Sequence, residues 1–227
     1  MNRKILILLS IIFLISNLYS AKKVEVFTAD NIIQLIKGKI ATVKNFVGVF
    51  TYKINNKTYY GEIKFKYPNK FLMNYYMKTS GDNYDIYQKI VSNGKNLWLV
   101  FKDQNIAISE ILERDKDTPL VGWNINRLVK EYYPVLPKTG YKVLYGNINA
   151  YRIEFTPKSS TAGFKYINMI VSENGDILKI EAQNQVGTSI EMSIKYTAFN
   201  IGISDDEFDY EPDENTQIYE NILLPKE

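Results

Sequence analysis

Apolar positions along the chain fall into one continuous run, one stretch at helical spacing and many short stretches that alternate. Ile5 to Ile15 is almost unbroken, with Arg3 and Lys4 before it and the more polar Asn17-Leu18-Tyr19-Ser20-Ala21 after it. A basic start, an apolar segment too short to span a bilayer comfortably and a small-residue end predict a secretory signal peptide over 1–20, cleaved after Ser20. An uncleaved anchor is the alternative. Ile32, Ile33, Leu35, Ile36 and Ile40 then recur near helical spacing, which predicts a helix over Thr28 to Thr42 with Thr28 or Asp30 as N-cap.

From there the period falls to two. Phe46–Ile54 and Thr58–Lys66 alternate around Asn55-Asn56-Lys57, and Lys70–Met77 follows the break at Pro68-Asn69. Lys89–Ser92 and Asn96–Phe101 flank Asn93-Gly94, the strongest hairpin signal in the chain, and Gln104–Glu110 continues the meander. Leu112–Thr118 is charged and predicts a loop. Pro119–Tyr133 predicts a helix that starts on a permitted proline and stops at Pro134. Tyr141–Tyr145 and Ala150–Phe155 form another hairpin, as do Tyr166–Ser172 and Asp176–Gln183 around Glu173-Asn174-Gly175. Thr188–Phe199 is the last long strand, and Glu207–Tyr210 predicts a short edge. About ten strands and two helices, without strand–helix–strand alternation, predict a mainly antiparallel sheet in a single domain over 21–227.

Composition narrows the chemistry. The 227 residues carry 28 basic and 25 acidic side chains, and removing Arg3 and Lys4 leaves 26 against 25, so no general pull toward nucleic acid is expected. There is no Cys and no His, which excludes a Ser-His or Cys-His nucleophile and a His-bearing zinc site. No Cys follows the apolar run, so the chain is not itself lipid-modified there. The acids cluster late (Asp205, Asp206, Glu207, Asp209, Glu211, Asp213, Glu214), a run that reads as a solvated tail rather than a catalytic pair. No catalytic residue, metal ligand or cofactor site is expected. Aromatic residues occupy both alternate sets of the central strands, as at Tyr59, Tyr60, Phe65, Tyr67, Phe71, Tyr75 and Tyr76. More apolar sheet surface than two short helices can cover points to a cavity, or else to an ordinary core with phenols at its rim.

Several segments recur together in the order found in one known protein family. Gly61-Glu62-Ile63-Lys64-Phe65-Lys66-Tyr67-Pro68-Asn69-Lys70-Phe71 is similar to the family's strand that ends at Pro before a strand opening with Phe. Ile90-Val91-Ser92-Asn93-Gly94-Lys95-Asn96-Leu97-Trp98 resembles its Gly turn into a Leu-Trp strand. Phe155-Thr156-Pro157-Lys158, the Phe164–Glu181 hairpin and Asn200–Pro212 follow in the same order, and together these segments resemble the LolA-like family of periplasmic lipoprotein carriers over nearly all of the mature chain.

The resemblance implies an incomplete, half-open antiparallel β-barrel closed by a helical lid. It implies a periplasmic carrier that accepts triacylated lipoproteins from an inner-membrane ABC-type complex, shields their acyl chains and delivers them to an outer-membrane acceptor. No nucleotide or metal is bound, and the carrier works as a monomer. The alternative on the same half-barrel is an envelope sensor or lipid-binding interaction module. Matched to the family, Ile63 and Phe65 fall on one strand face and Phe71, Met73 and Tyr75 on the next, corresponding to the cavity side. Leu97 and Leu99, or else Trp98 and Val100, line the following hairpin, since a one-residue slip exchanges them. Leu120, Trp123, Leu128 and Val129 serve either as the lid's closing face or as plain core between helix and sheet. The family's Arg before the Pro, which ties the lid to the barrel, is replaced by Tyr67, and a phenol cannot supply a guanidinium fork. Lys66 or Lys70 remains as a single-point donor at that end.

Overall fold

The computed structural model describes residues 26–78, 84–112 and 124–220. The expected signal peptide and the expected lid residues Leu120 and Trp123 lie outside the described residues. No helix among those described is long and apolar enough to cross a membrane.

The helix α1 (Ala29–Thr42) starts where the spacing predicts, and the Thr28 backbone N–H donates to Asn31 Oδ1 at 2.7 Å, closing its first turn. There follow β1 (Asn45–Ile54), β2 (Lys57–Lys66), β3 (Lys70–Lys78), β4 (Tyr84–Asn93), β5 (Asn96–Phe101) and β6 (Ile106–Ile111). The helix α2 (Ile125–Glu131) leads into β7 (Tyr132–Val135), β8 (Lys142–Tyr145), β9 (Ile148–Pro157), β10 (Phe164–Ser172), β11 (Ile177–Asn184), β12 (Ser189–Phe199) and β13 (Gln217–Glu220). Thirteen strands among the described residues form one open sheet in the order β13-β6-β5-β4-β3-β2-β1-β12-β11-β10-β9-β7, with β8 also on β9. Every pair is antiparallel except β13 on β6.

Three expectations are corrected here. The helix expected to run to Tyr133 ends at Glu131, because Tyr132–Val135 pairs with Glu154–Pro157 of β9. Pro134 is tolerated in that strand because β7 lies at the sheet's edge. Glu207–Tyr210 is not an edge strand: Asp205–Phe208 forms a 3₁₀ turn that buries Phe208, and the edge is β13 instead. The acidic run is not a free tail either. Residues 201–216 form a strap across the face of β3–β5 opposite the helices. On it Lys66 and Lys70 reach Asp205 at 2.6 and 2.8 Å, Lys64 pairs with Glu207, and the Trp98 and Tyr210 rings meet at 5.4 Å.

The strap carries a pH prediction. Hydrogen bonds from Lys66 and Lys70 hold the Asp205 carboxyl well below its ordinary range, at about 2. A carboxylate whose folded value is depressed stabilises the fold above its unfolded value and loses that contribution as pH falls through the folded one. The Trp98 indole resonance should therefore shift between about pH 4 and pH 2 in the wild type. The part of that shift due to the strap should vanish in Asp205→Asn, and an identical profile in both proteins would refute the assignment.

The helices lie on the sheet's inner face. A continuous apolar row there runs Ile153–Met169–Ile180–Met192–Tyr52–Tyr59 across β9, β10, β11, β12, β1 and β2. Its β9–β11 end is covered by α1 through Ile32, Ile33 and Ile36 and by α2 through Ile125 and Leu128. The other end is a second core of Phe46, Phe50, Ile63, Phe71, Met73, Tyr75, Leu97, Leu112 and Ile194. Gly61 makes room within it: a Cβ there would stand 2.2 Å from Phe50 Cζ, so the ring lies over bare backbone.

Candidate functional site

Register decides which expected residues share a face. The rows Phe46–Phe65–Phe71–Ser92–Leu97–Glu110 and Gly48–Ile63–Met73–Ile90–Leu99–Ile108 both lie on the inner side. Leu97 and Leu99 thus stand with Ile63, Phe65, Phe71 and Met73, and Tyr75 continues the β3 set. Trp98 and Val100 face the strap on the outer side, where Leu72–Val91–Trp98 forms its own row. The inner set is packed on itself, with the Tyr75 ring 5.0 Å from Phe50 and 6.1 Å from Tyr52.

Of the expected lid residues, Leu128 is buried and Val129 packs beside it, both in the core under the helices against β9–β11. Tyr67 is 64% exposed and its peptide bond to Pro68 is cis. Lys66 and Lys70 are engaged with the strap, and Lys66 also donates to the Ile203 carbonyl at 2.7 Å.

A cavity of about 420 Å³ opens at this end of the inner face. Its walls are the last turns of α1 (Ile36, Lys39, Ile40), the Tyr67-Pro68-Asn69 turn, Asn124 and Asn126 at the start of α2, and the β10–β11 turn at Gly175-Asp176. Phe65, Tyr196 and Phe199 form its floor, and Phe65 and Tyr196 each lie 5.3 Å from the buried Phe46 ring, which joins the cavity to the second core. The volume falls within the range of about 300–1,000 Å³ usual for small-ligand sites.

Several polar groups at the mouth are held by neighbours. Lys39 Nζ lies 2.8 Å from Asp176 Oδ1 and 3.8 Å from the centre of the Phe199 ring. The Tyr196 hydroxyl donates to the Ile177 carbonyl at 2.9 Å, and burial, with the Asp176 carboxylate second, raises its pKa above the ordinary value. Asn200, at φ +54°, donates from Nδ2 to the Thr42 carbonyl at 3.1 Å and accepts from the Lys44 N–H at 2.7 Å, pinning the end of α1 to the end of β12. Among the described residues no group of three or more His, Cys, Asp or Glu is placed to hold a metal ion.

Sequence reasoning missed Lys39, Asp176, Tyr196 and Phe199 as parts of this mouth. The only signal was the helical spacing that ends at Ile40. It marks the buried side of α1 but not which strands meet it.

The chain matches the family described as outer membrane lipoprotein carrier protein LolA over residues 41–211, which takes in β1 through β12 and most of the strap. No curated protein matches it. Among solved structures, an uncharacterized conserved protein from Thermus thermophilus superposes at TM-score 0.55 and 10% identity, covering 85% of this chain and 99% of that one. A chain of the Pseudomonas aeruginosa MucA/MucB complex does so at TM-score 0.50 and 15% identity, covering 87% of this chain and 66% of that one. At such identities these likenesses establish a shared fold.

Proposed function

The chain belongs to the LolA family of outer membrane lipoprotein carrier proteins, and from that premise we propose that it carries the acyl chains of lipoproteins through the periplasm without catalysing a reaction. The observation that carries the reading is the apolar inner face, which reaches from the 420 Å³ mouth under α1 into the core of β1–β5. Ile63, Phe65, Phe71, Met73, Tyr75, Leu97 and Leu99 form the proposed acyl-chain wall. In this proposal the mature chain, 21–227, works as one unit. It takes triacylated lipoproteins from an ABC-type releasing complex at the inner membrane and delivers them at the outer membrane.

The closed packing of that wall suits a carrier that must let go. An acyl chain gains roughly 0.8 kcal/mol per buried CH₂, so three chains in a rigid preformed cavity would scarcely dissociate. Here the rings of Phe50, Tyr52 and Tyr75 must part before cargo enters, and the contacts they lose offset part of the binding energy.

The test is to incubate mature protein with ATP-energised inner-membrane vesicles bearing native lipoproteins and to analyse the soluble fraction by native mass spectrometry. A one-to-one complex with a triacylated lipoprotein, present only with ATP, is expected. Ile40→Glu at the half-buried mouth should cut loading by about tenfold or more, because a carboxylate would have to be desolvated by each chain that enters. Loading equal to wild type would place the entrance elsewhere. An empty protein that instead associates stably with an envelope signalling protein would favour the sensor reading.

A further inference from the structure

On the face opposite the helices lies a second cleft of about 650 Å³, beyond β1, β2 and β12 from the acyl-chain wall. Its side chains are chemically unlike those of the mouth. Tyr60, Tyr76, Tyr84 and Tyr145 surround it, with Glu62 on one side and Lys195 on the other. Tyr145 is anchored by donating from its hydroxyl to Ser193 Oγ at 3.1 Å, and Tyr76 by donating to Glu62 Oε2 at 2.8 Å. Tyr60 and Tyr84 are 54% and 52% exposed.

Two features point to a ligand. The first concerns the ring faces. Elsewhere the chain's own ammonium groups lie over aromatic rings: Lys39 over Phe199, Lys89 over Tyr210 and Lys158 over Tyr133. Among the described residues no cation and no second ring covers any of these four tyrosines. All four line one cleft beside the Glu62 carboxylate, and aromatic rings beside a carboxylate are the combination that attracts an organic ammonium group.

The second feature is the charge pattern. Val49 pairs with Glu62 on β2 and with Lys195 on β12, so the acid and the base flank it on the same side of the sheet. Two strand spacings set their Cα atoms about 10 Å apart. No ion pair joins them among the described residues, so both side chains remain available to a ligand lying in the cleft between them. The Tyr76 phenol, raised to about 12 chiefly by burial and then by Glu62, stays protonated at neutral pH and keeps donating to the Glu62 side chain.

We infer that this cleft is a binding site for a phosphocholine-type zwitterion, with its ammonium among the tyrosine rings beside Glu62 and its phosphate toward Lys195. A simple cation would leave Lys195 unanswered and an anion would meet Glu62, so a ligand bearing both charges is the one that fits. The inference concerns a different face from the acyl-chain wall and does not depend on the carrier reading.

Titration of the mature protein with phosphocholine, followed through its tyrosine ring resonances, should give saturable shifts. Choline should bind more weakly and inorganic phosphate more weakly still. Glu62→Gln, which retains an acceptor for Tyr76, should weaken phosphocholine by about tenfold or more. Lys195→Gln should abolish the preference for phosphocholine over choline, and Tyr60→Leu, at an exposed position where folding is not at stake, should weaken both. Flotation with phosphatidylcholine vesicles, lost in Glu62→Gln, would support the site and assign it to a lipid-borne head group. Binding of the free compound alone would support it as a site for the soluble one. Absence of saturable shifts, or an affinity unchanged in Glu62→Gln, overturns the proposal.

Discussion

Gly175→Ala should loosen α1 from the sheet and cost about 2–4 kcal/mol of stability, read as a lowered urea midpoint. Two causes combine at this position. The residue sits at φ +85°, in a region that side chains other than glycine's adopt only under strain, and a Cβ built there would lie 2.2 Å from the Leu35 carbonyl oxygen. That oxygen belongs to helix backbone, so it cannot turn aside as a flexible side chain would. Relief requires α1 to lift, and lifting α1 uncovers Ile32 and Ile36, both at 0% exposure.

Gly187 supplies the control, because it sits at φ +91° with nothing within 4 Å of a built Cβ. Gly187→Ala should therefore show the backbone strain alone, about 1 kcal/mol. The excess at Gly175 measures how closely the β10–β11 turn approaches the helix. Faster amide exchange in α1 and stronger binding of an apolar dye should accompany the loss in Gly175→Ala only. Equal costs at the two glycines would mean that this close approach does not hold the helix. Since the same turn forms one wall of the mouth, the variant also asks whether access to the inner face follows the seating of α1.

Phe46→Ala is expected to be as damaging, at about 3–5 kcal/mol. Phe46 is fully buried and its ring meets Phe65 at 5.3 Å, Tyr196 at 5.3 Å edge-on and Phe199 at 6.3 Å. These three neighbours are also the floor of the mouth, so the vacated space should merge with the existing 420 Å³ rather than remain a sealed void. The enlarged cavity should take up an apolar probe that the wild type refuses, partly restoring stability in proportion to its concentration. Phe46→Leu, which refills most of the volume, should cost under about 1.5 kcal/mol. A loss below about 1 kcal/mol in Phe46→Ala would show that the floor closes over the gap and that mouth and core are not joined through this ring.

Much of the strand order was legible because hairpins are local. Asn93-Gly94 sits between two alternating stretches, and the pairing of Ser92 with Leu97 follows from that turn alone. The Thr28–Thr42 helix was legible for the same reason, since its apolar spacing and its cap lie within one short segment. The absence of Cys and His, also read directly, removed whole classes of chemistry before any geometry was known.

What local pattern does not encode is the far side of each element. Leu97 and Val100 are both buried, at 6% and 5%, so alternation could not say which faces the helices; the strap on the Val100 side comes from far later in the chain. Phe208 lies among acids that suggest a solvated tail, yet it is 1% exposed because lysines of β2 and β3 answer those acids. Tyr132 and Tyr133 continue a helical pattern and become strand only because the edge of β9 is there to pair with them. The amino-acid sequence by itself determined the elements, their turns and the chemistry that is impossible, all set by interactions between near neighbours along the chain. The tertiary structure alone decided which face is inner, what covers the outer one and where the mouth lies, because those depend on contacts between segments whose separation in sequence leaves no periodic trace.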